Sequence, residues 1–357
     1  MGWRPLLPLG VAAISILGWL CACTPSSDPE LADLRPAAAP PAPRYRGEGE
    51  RLPAYCGRAP AERGWICVDG FLWIEARDLD AFRAGKVFDG RAYVPFAEAL
   101  PPGVRANEGF RLRTDHVTLQ SNLAWDRAKI VAREAQSHVV RLVGAYGDLL
   151  GLRLPADPLP VVVYGSRVEF EGVLSHLVAD PVGWGAFYDA RSGVVHVSAE
   201  PAASGALPWR ADLRHEMTHQ ILDLSRPPSR RAVAVSAPWF WLWEGIAVWF
   251  EGLGDPPGVD TGRDRIIRYQ VRHARQESTP LTTLIQLSQA EFQGRHYDQT
   301  ASFMRFLLDD RNPRRRDNVL ALVAGMLHGR MPAERLEQAT GATLPELERE
   351  WLATVGR

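Results

Sequence analysis

Between Ala211 and Asp223 the chain reads ADLRHEMTHQILD, and this run limits what the polypeptide can fold into. His215 and His219 stand four positions apart. On a helix their imidazoles project from one face, one turn apart, close enough to hold a single metal ion. Leu213, Met217, Ile221 and Leu224 supply apolar residues at helical intervals, and Pro208 suits a helix start. Glu216 follows the first histidine, where its carboxylate can act as a general base toward the water of such a site.

A catalytic metal of this type needs a third protein ligand and an open position. The continuation HExxHxxGxxH is missing, because Leu222 and Ser225 stand where its glycine and third histidine would fall. The next candidate lies in PWFWLWEGIAVWFEG, Pro238 to Gly252, where Glu244 comes 25 residues after His219 and Ala247 three later. That gap lets the chain leave the first helix, turn through the Pro/Arg-rich stretch Arg226–Pro238 and begin a second helix that presents Glu244 to the first.

The remaining pattern supports an α+β class. Val117–Leu119 and Leu159–Tyr164 read as strands, Ala124–Leu150 as a long helix and Arg167–Leu177 as a short one. Two strands around Gly185–Tyr188 and Gly193–Ser198 flank Asp189-Ala190-Arg191-Ser192, which suits a hairpin turn. From Pro208 onward the chain reads as mainly helical, so strands come first and helices last. Residues 45–115 mix Gly, Pro and short apolar runs and read as a small strand-and-loop region.

The N-terminus describes a compartment. Met1 to Ala22 carries one early cation, Arg4, then an apolar run from Leu6 to Leu20 and the tetrad Leu20-Cys21-Ala22-Cys23. That is the layout of a secretory leader, and the tetrad resembles a lipobox with Cys23 as the lipidated residue. The run is short for a membrane-spanning helix and is interrupted by Pro8 and Gly10. Thr24 to Arg44 is rich in Pro and Ala without apolar periodicity, which makes 23–44 a semi-rigid tether. With Cys21 in the leader and Cys23 lipidated, Cys56 and Cys67 remain as a disulfide pair in an oxidising compartment. The resulting division is a leader over 1–22, a tether over 23–44, a small region over 45–115 and a catalytic domain over 116–357. The expected location is the cell envelope, lipid-anchored and facing the periplasm or exterior. The 41 Lys and Arg balance 42 Asp and Glu, which argues against an electrostatic nucleic-acid binder.

HEMTH followed by WEGIA resembles the HExxH…ExxA pairing of the gluzincin metallopeptidases, and LRHEMTHQIL with WLWEGIAVWFEG is similar to the bacterial peptidase MA-like members in particular. The resemblance implies a zincin-like domain from about 115 to 357, in which a mixed sheet precedes a mainly helical part. It implies one Zn2+ bound by His215, His219 and Glu244, with Glu216 as base. Asp223 and Glu251 are the alternative acidic ligands: Asp223 stays on the His219 helix face, where a supporting or capping role suits it better, and Glu251 falls two turns beyond Glu244.

The chain also departs from the pattern. Aminopeptidase-type relatives carry a Gly-x-Met-Glu-Asn strand that captures the substrate amine; here the corresponding region offers GWGAFY, Gly183 to Tyr188, and no amine-binding carboxylate is evident. Trp243 precedes the ligand glutamate where many relatives have Asn. In RHYDQTASFMRFLLDD, Arg295 to Asp310, Tyr297 is the first candidate to stabilise an oxyanion and His296 the second. His196 reads as a strand histidine that can meet substrate or sit satisfied in the sheet. Trp239, Trp241, Trp243 and Trp249 form either an aromatic wall or, as the favoured reading, a core that anchors the second helix. Arg226, Arg230, Arg231, Arg311 and Arg314–Arg316 read as loop clusters in solvent. The leading expectation is a tethered zinc metallopeptidase acting on a peptide or protein substrate. The alternatives are a non-catalytic binding or scaffold lipoprotein and a hydrolase of non-peptide amides.

Overall fold

The central strands of the sheet alternate buried and less buried residues. In Val117–Ser121 (β6) residues 117, 119 and 121 are buried, and in Leu159–Tyr164 (β7) residues 159, 161 and 163 are. The computed structural model describes residues 64–68, 72–88, 93–95, 105–106, 109–178, 184–200, 209–231, 235, 238–253, 255, 262–309, 311–329 and 335–355. The earlier strands are Trp65–Val68 (β1), Leu72–Glu75 (β2), Lys86–Phe88 (β3), Tyr93–Pro95 (β4) and Phe110–Arg113 (β5); the later ones are Ala186–Asp189 (β8) and Val194–Ser198 (β9). Seven of them form one mixed sheet in the order β1-β2-β5-β6-β7-β9-β8, and β3 with β4 forms a separate pair.

The pairings β6–β7 and β7–β9 are parallel, whereas β5–β6 and β8–β9 are antiparallel. The expected hairpin is present: β8 and β9 join through a turn in which the Asp189 carboxylate accepts from the backbone of Arg191 and Ser192. This leaves β8 as an edge strand. The sheet is continuous across residue 115, since β1, β2 and β5 extend it beyond β6.

Eleven α-helices accompany the sheet among the described residues. They are Leu79–Arg83 (α1), Trp125–Leu150 (α2), Arg167–Leu174 (α3), Trp209–Ser225 (α4), Phe240–Glu251 (α5), Arg263–Ala274 (α6), Leu281–Leu284 (α7), Gly294–Leu307 (α8), Pro313–Leu327 (α9), Arg335–Thr340 (α10) and Leu344–Val355 (α11). No strand follows β9 among these residues, which agrees with an α+β order. The main core runs from Leu119, Val161, Val163 and Val197 through the apolar side of α2 and α4 to Phe250, Phe303 and Trp351. Tyr164, Phe170 and Leu174 form a smaller cluster where α3 packs on β7.

Helix α4 is central, and it buries polar as well as apolar residues. Several of these buried polar groups are anchored by hydrogen bonds. Gln220 donates to the carbonyls of Pro160 and Gly193 at 3.0 and 2.7 Å, Thr218 Oγ1 to Arg214 O at 2.7 Å, and Ser225 accepts from Arg153 N–H at 2.9 Å. Helix α5 is almost wholly apolar, as a helix covered on most sides should be. No helix among the described residues is long and apolar enough to cross a membrane. The leader, the tether, Pro208 and Cys56 lie outside the described residues, and with Cys56 so does the expected disulfide.

Candidate metal centre

Helix α4 presents His215 and His219 toward α5, and α5 returns Glu244 to meet them. All three are buried. His215 Nε2 lies 3.2 Å from Glu244 Oε2, His219 Nε2 3.4 Å from the same oxygen, and the two Nε2 atoms are 3.1 Å apart. A tetrahedral ion with bonds of about 2.0–2.1 Å would space its ligand atoms about 3.3 Å apart. The triangle therefore fits a metal ion held by two imidazole nitrogens and one carboxylate oxygen. Its nitrogen donors suit a transition ion better than calcium or magnesium, which favour oxygen.

The electrostatics describe the same compact charge cluster. Burial alone would raise the Glu244 carboxyl, but the two imidazoles outweigh it and hold the group well below the usual carboxylate range. For His215, burial disfavours the charged ring, yet hydrogen bonds to Glu244 and Glu251 push its pKa up to about 10. A cation in the triangle would replace that proton.

Glu251 is fully buried and accepts from His215 Nδ1 at 2.9 Å. Arg265 grips the same carboxylate through Nε at 3.0 Å and a terminal nitrogen at 2.9 Å. Because Glu251 accepts at Nδ1, the proton resides there and the Nε2 lone pair is free for a metal. Glu251 is thus turned to the far side of the ring and is not part of the triangle. Asp223 is also outside it, accepting from Tyr188 OH at 3.1 Å and from Arg226 at 2.9 Å.

His219 is supported differently. Its Nδ1 is buried without a hydrogen-bond partner among the described residues, and its ring stacks on Trp243 at 5.1 Å and 15°. The Arg226 guanidinium lies 5.7 Å from the Trp243 ring centre. Trp243, the residue before Glu244, thus forms an aromatic platform against the His219 ring.

Glu216 stands at the rim, where β8 holds it: Tyr188 N–H donates to Glu216 Oε2 at 2.9 Å. Tyr297, near the start of α8, also reaches the centre, with its ring 6.2 Å from that of His215. Burial and the charges of Glu244 and Glu216 raise its phenol pKa well above 10, so it stays protonated and able to donate.

No protein-family model and no curated protein matches this chain.

The other candidates lie elsewhere. His296 is committed to the α8 N-terminus, where Nδ1 accepts from Gln293 N–H at 2.9 Å, and burial pushes its pKa down to about 4. His196, on β9, pairs with Tyr164 OH at 2.8 Å. Of the tryptophans, Trp241 is buried against Phe303, while Trp243 belongs to the site. Among the arginines, Arg311 pairs with Asp309 and Arg315 with Glu350, whereas Arg226 is buried in the Asp223 contact. Sequence reasoning weighed Glu251 only as a spare ligand. Its position seven residues after Glu244, on the same helix face, was the available signal. For Tyr188 and Arg265 no local pattern pointed to the site.

Proposed function

We propose that this chain is a zinc-dependent metallopeptidase of gluzincin type, with a zincin-like catalytic domain, tethered to the cell envelope through Cys23. One observation carries the reading: a buried His215–His219–Glu244 triangle with the Glu216 carboxylate held beside it by an edge-strand N–H. A Zn2+ ion in that triangle would supply Lewis-acid chemistry, polarising the scissile carbonyl and lowering the pKa of the attacking water. Glu216 Oε2 is occupied by Tyr188 N–H, which leaves Oε1 to take the water proton and pass it to the departing amine. The water oxygen adds to the carbonyl carbon, the C–N bond breaks, and the Tyr297 phenol donates to the oxyanion that forms between these events. Glu251 and Arg265 keep His215 in the tautomer and orientation this requires.

Glu216→Gln tests the assignment. The variant retains a stoichiometric amount of zinc by elemental analysis and loses turnover by at least about a hundredfold, within the usual range for a removed general base. Zinc retention with undiminished turnover contradicts the mechanism. The envelope placement has its own check: mass spectrometry of the mature N-terminus finds acylated Cys23, and Cys23→Ser moves the protein from the membrane to the soluble fraction. An unmodified, uncleaved N-terminus contradicts it.

A further inference from the structure

Asp212 lies one turn before Glu216 on α4, so both carboxylates share the face that carries His219. It is partly buried, and no residue among those described donates a hydrogen bond to it. Its carboxylate lies against Gly185, immediately before β8, so closely that a Cβ at position 185 would collide with Oδ2. Glycine at 185 is what lets the carboxylate stand between the helix and the edge strand. The nearby cation Arg265 is already committed to Glu251 through two nitrogens. Burial, with the charge of Glu251 adding to it and those of Arg265 and His215 opposing it, pushes the Asp212 pKa up to about 7.

We propose that Asp212, where α4 meets the Gly185–Tyr188 segment, is a specificity-determining residue that receives a cationic nitrogen of the substrate. This inference rests on the peptidase reading. One helical turn separates Asp212 from the general base, about 5–6 Å along the axis. A lysine or arginine side chain within two residues of the scissile bond spans that distance, and so does a free α-amine one residue away. Charge-assisted pairing at a partly desolvated position gives roughly a ten- to hundredfold preference over a neutral isostere.

The test uses the zinc-loaded protein and paired peptides with arginine or its neutral isostere citrulline at each of two positions on either side of the cleaved bond, with N-termini free or acetylated. The inference expects kcat/KM to favour arginine at one position by about tenfold or more, or free over acetylated N-termini by the same factor; which arm responds identifies the source of the cation. Asp212→Asn, checked for zinc content and melting temperature, brings that ratio close to unity. Equal rates within both pairs in the parent protein overturn the inference while leaving the peptidase reading intact, and so does a preference that survives in Asp212→Asn. Absence of any cleavage defeats the peptidase reading instead. Binding of arginine and citrulline peptide hydroxamates to zinc-loaded Glu216→Gln protein then decides the inference without turnover, since equal affinities overturn it.

Discussion

The centre is built from asymmetric supports for two similar histidines. His215 is held by a carboxylate that Arg265 fixes in turn, whereas His219 leans on an indole face. Removing the carboxylate charge beside a metal-ligating histidine weakens metal binding by about ten- to a hundredfold. Glu251→Gln should show that loss in a competition titration with a chelator, with the fold retained; unchanged affinity would make Glu251 a structural partner only. A different buried histidine contributes to the response to acid. His138 on α2 is fully buried, with Nε2 3.0 Å from Thr218 Oγ1, and burial together with the charge of Arg214 pushes its pKa from 6.5 down to about 3. A depressed pKa contributes stability that is present above pH 6.5 and is lost as the pH falls toward 3. The contribution is on the order of 5 kcal/mol at most. Denaturant midpoints measured across that range should fall with pH in the parent and fall less steeply in His138→Leu. An identical slope in the variant would place the acid sensitivity elsewhere. At this scale His215, Glu216 and His219 were legible from their spacing along one helix, and Glu244 from the WEGIA run of the next. Arg265 and Tyr188 were not, because they reach the site through tertiary contacts that leave no periodic trace.

Among the elements, the pairing of α4 with α5 decides the site, and Gly245 decides how closely α5 meets α8. A Cβ at 245 would lie 2.8 Å from Thr300 Cγ2 and 2.9 Å from Met304 Cγ, too close without movement of α8. Gly245→Ala should therefore destabilise the protein by about 1–3 kcal/mol. Because α8 carries Tyr297, the same variant should reduce kcat more than metal content. Unfolding curves that superimpose on the parent would show that α8 yields without cost. Helices α2 and α4 were readable from their apolar period and the Asp189–Ser192 turn from its composition, whereas α1 falls in the stretch read as strands and loops. The buried face of α4 was less so: Arg214, Thr218 and Gln220 look like surface residues in sequence, and only their bonds to neighbouring elements explain their burial.

For the whole molecule, the sheet joins what the sequence divides. Residues 65–113 contribute β1, β2 and β5, which extend the same sheet that carries β8 at its other edge. The short runs in that part lack a clear period because strands of four residues are too brief to establish one. Arg214 ties several elements together behind the centre, bonding Glu134 on α2, the Glu251 carbonyl at the end of α5 and Asp255 beyond it. The near-neutral charge of the chain, −1, provides no strong overall attraction for a charged partner. The most direct measurement is a mass-spectrometric cleavage profile of an unbiased peptide mixture by the zinc-loaded protein, run with and without chelator. The account predicts defined cleavage sites that vanish on chelation, return with zinc and are absent with Glu216→Gln. A fully zinc-loaded, folded protein that cleaves nothing, or cleavage that persists in chelator or in Glu216→Gln, would contradict it.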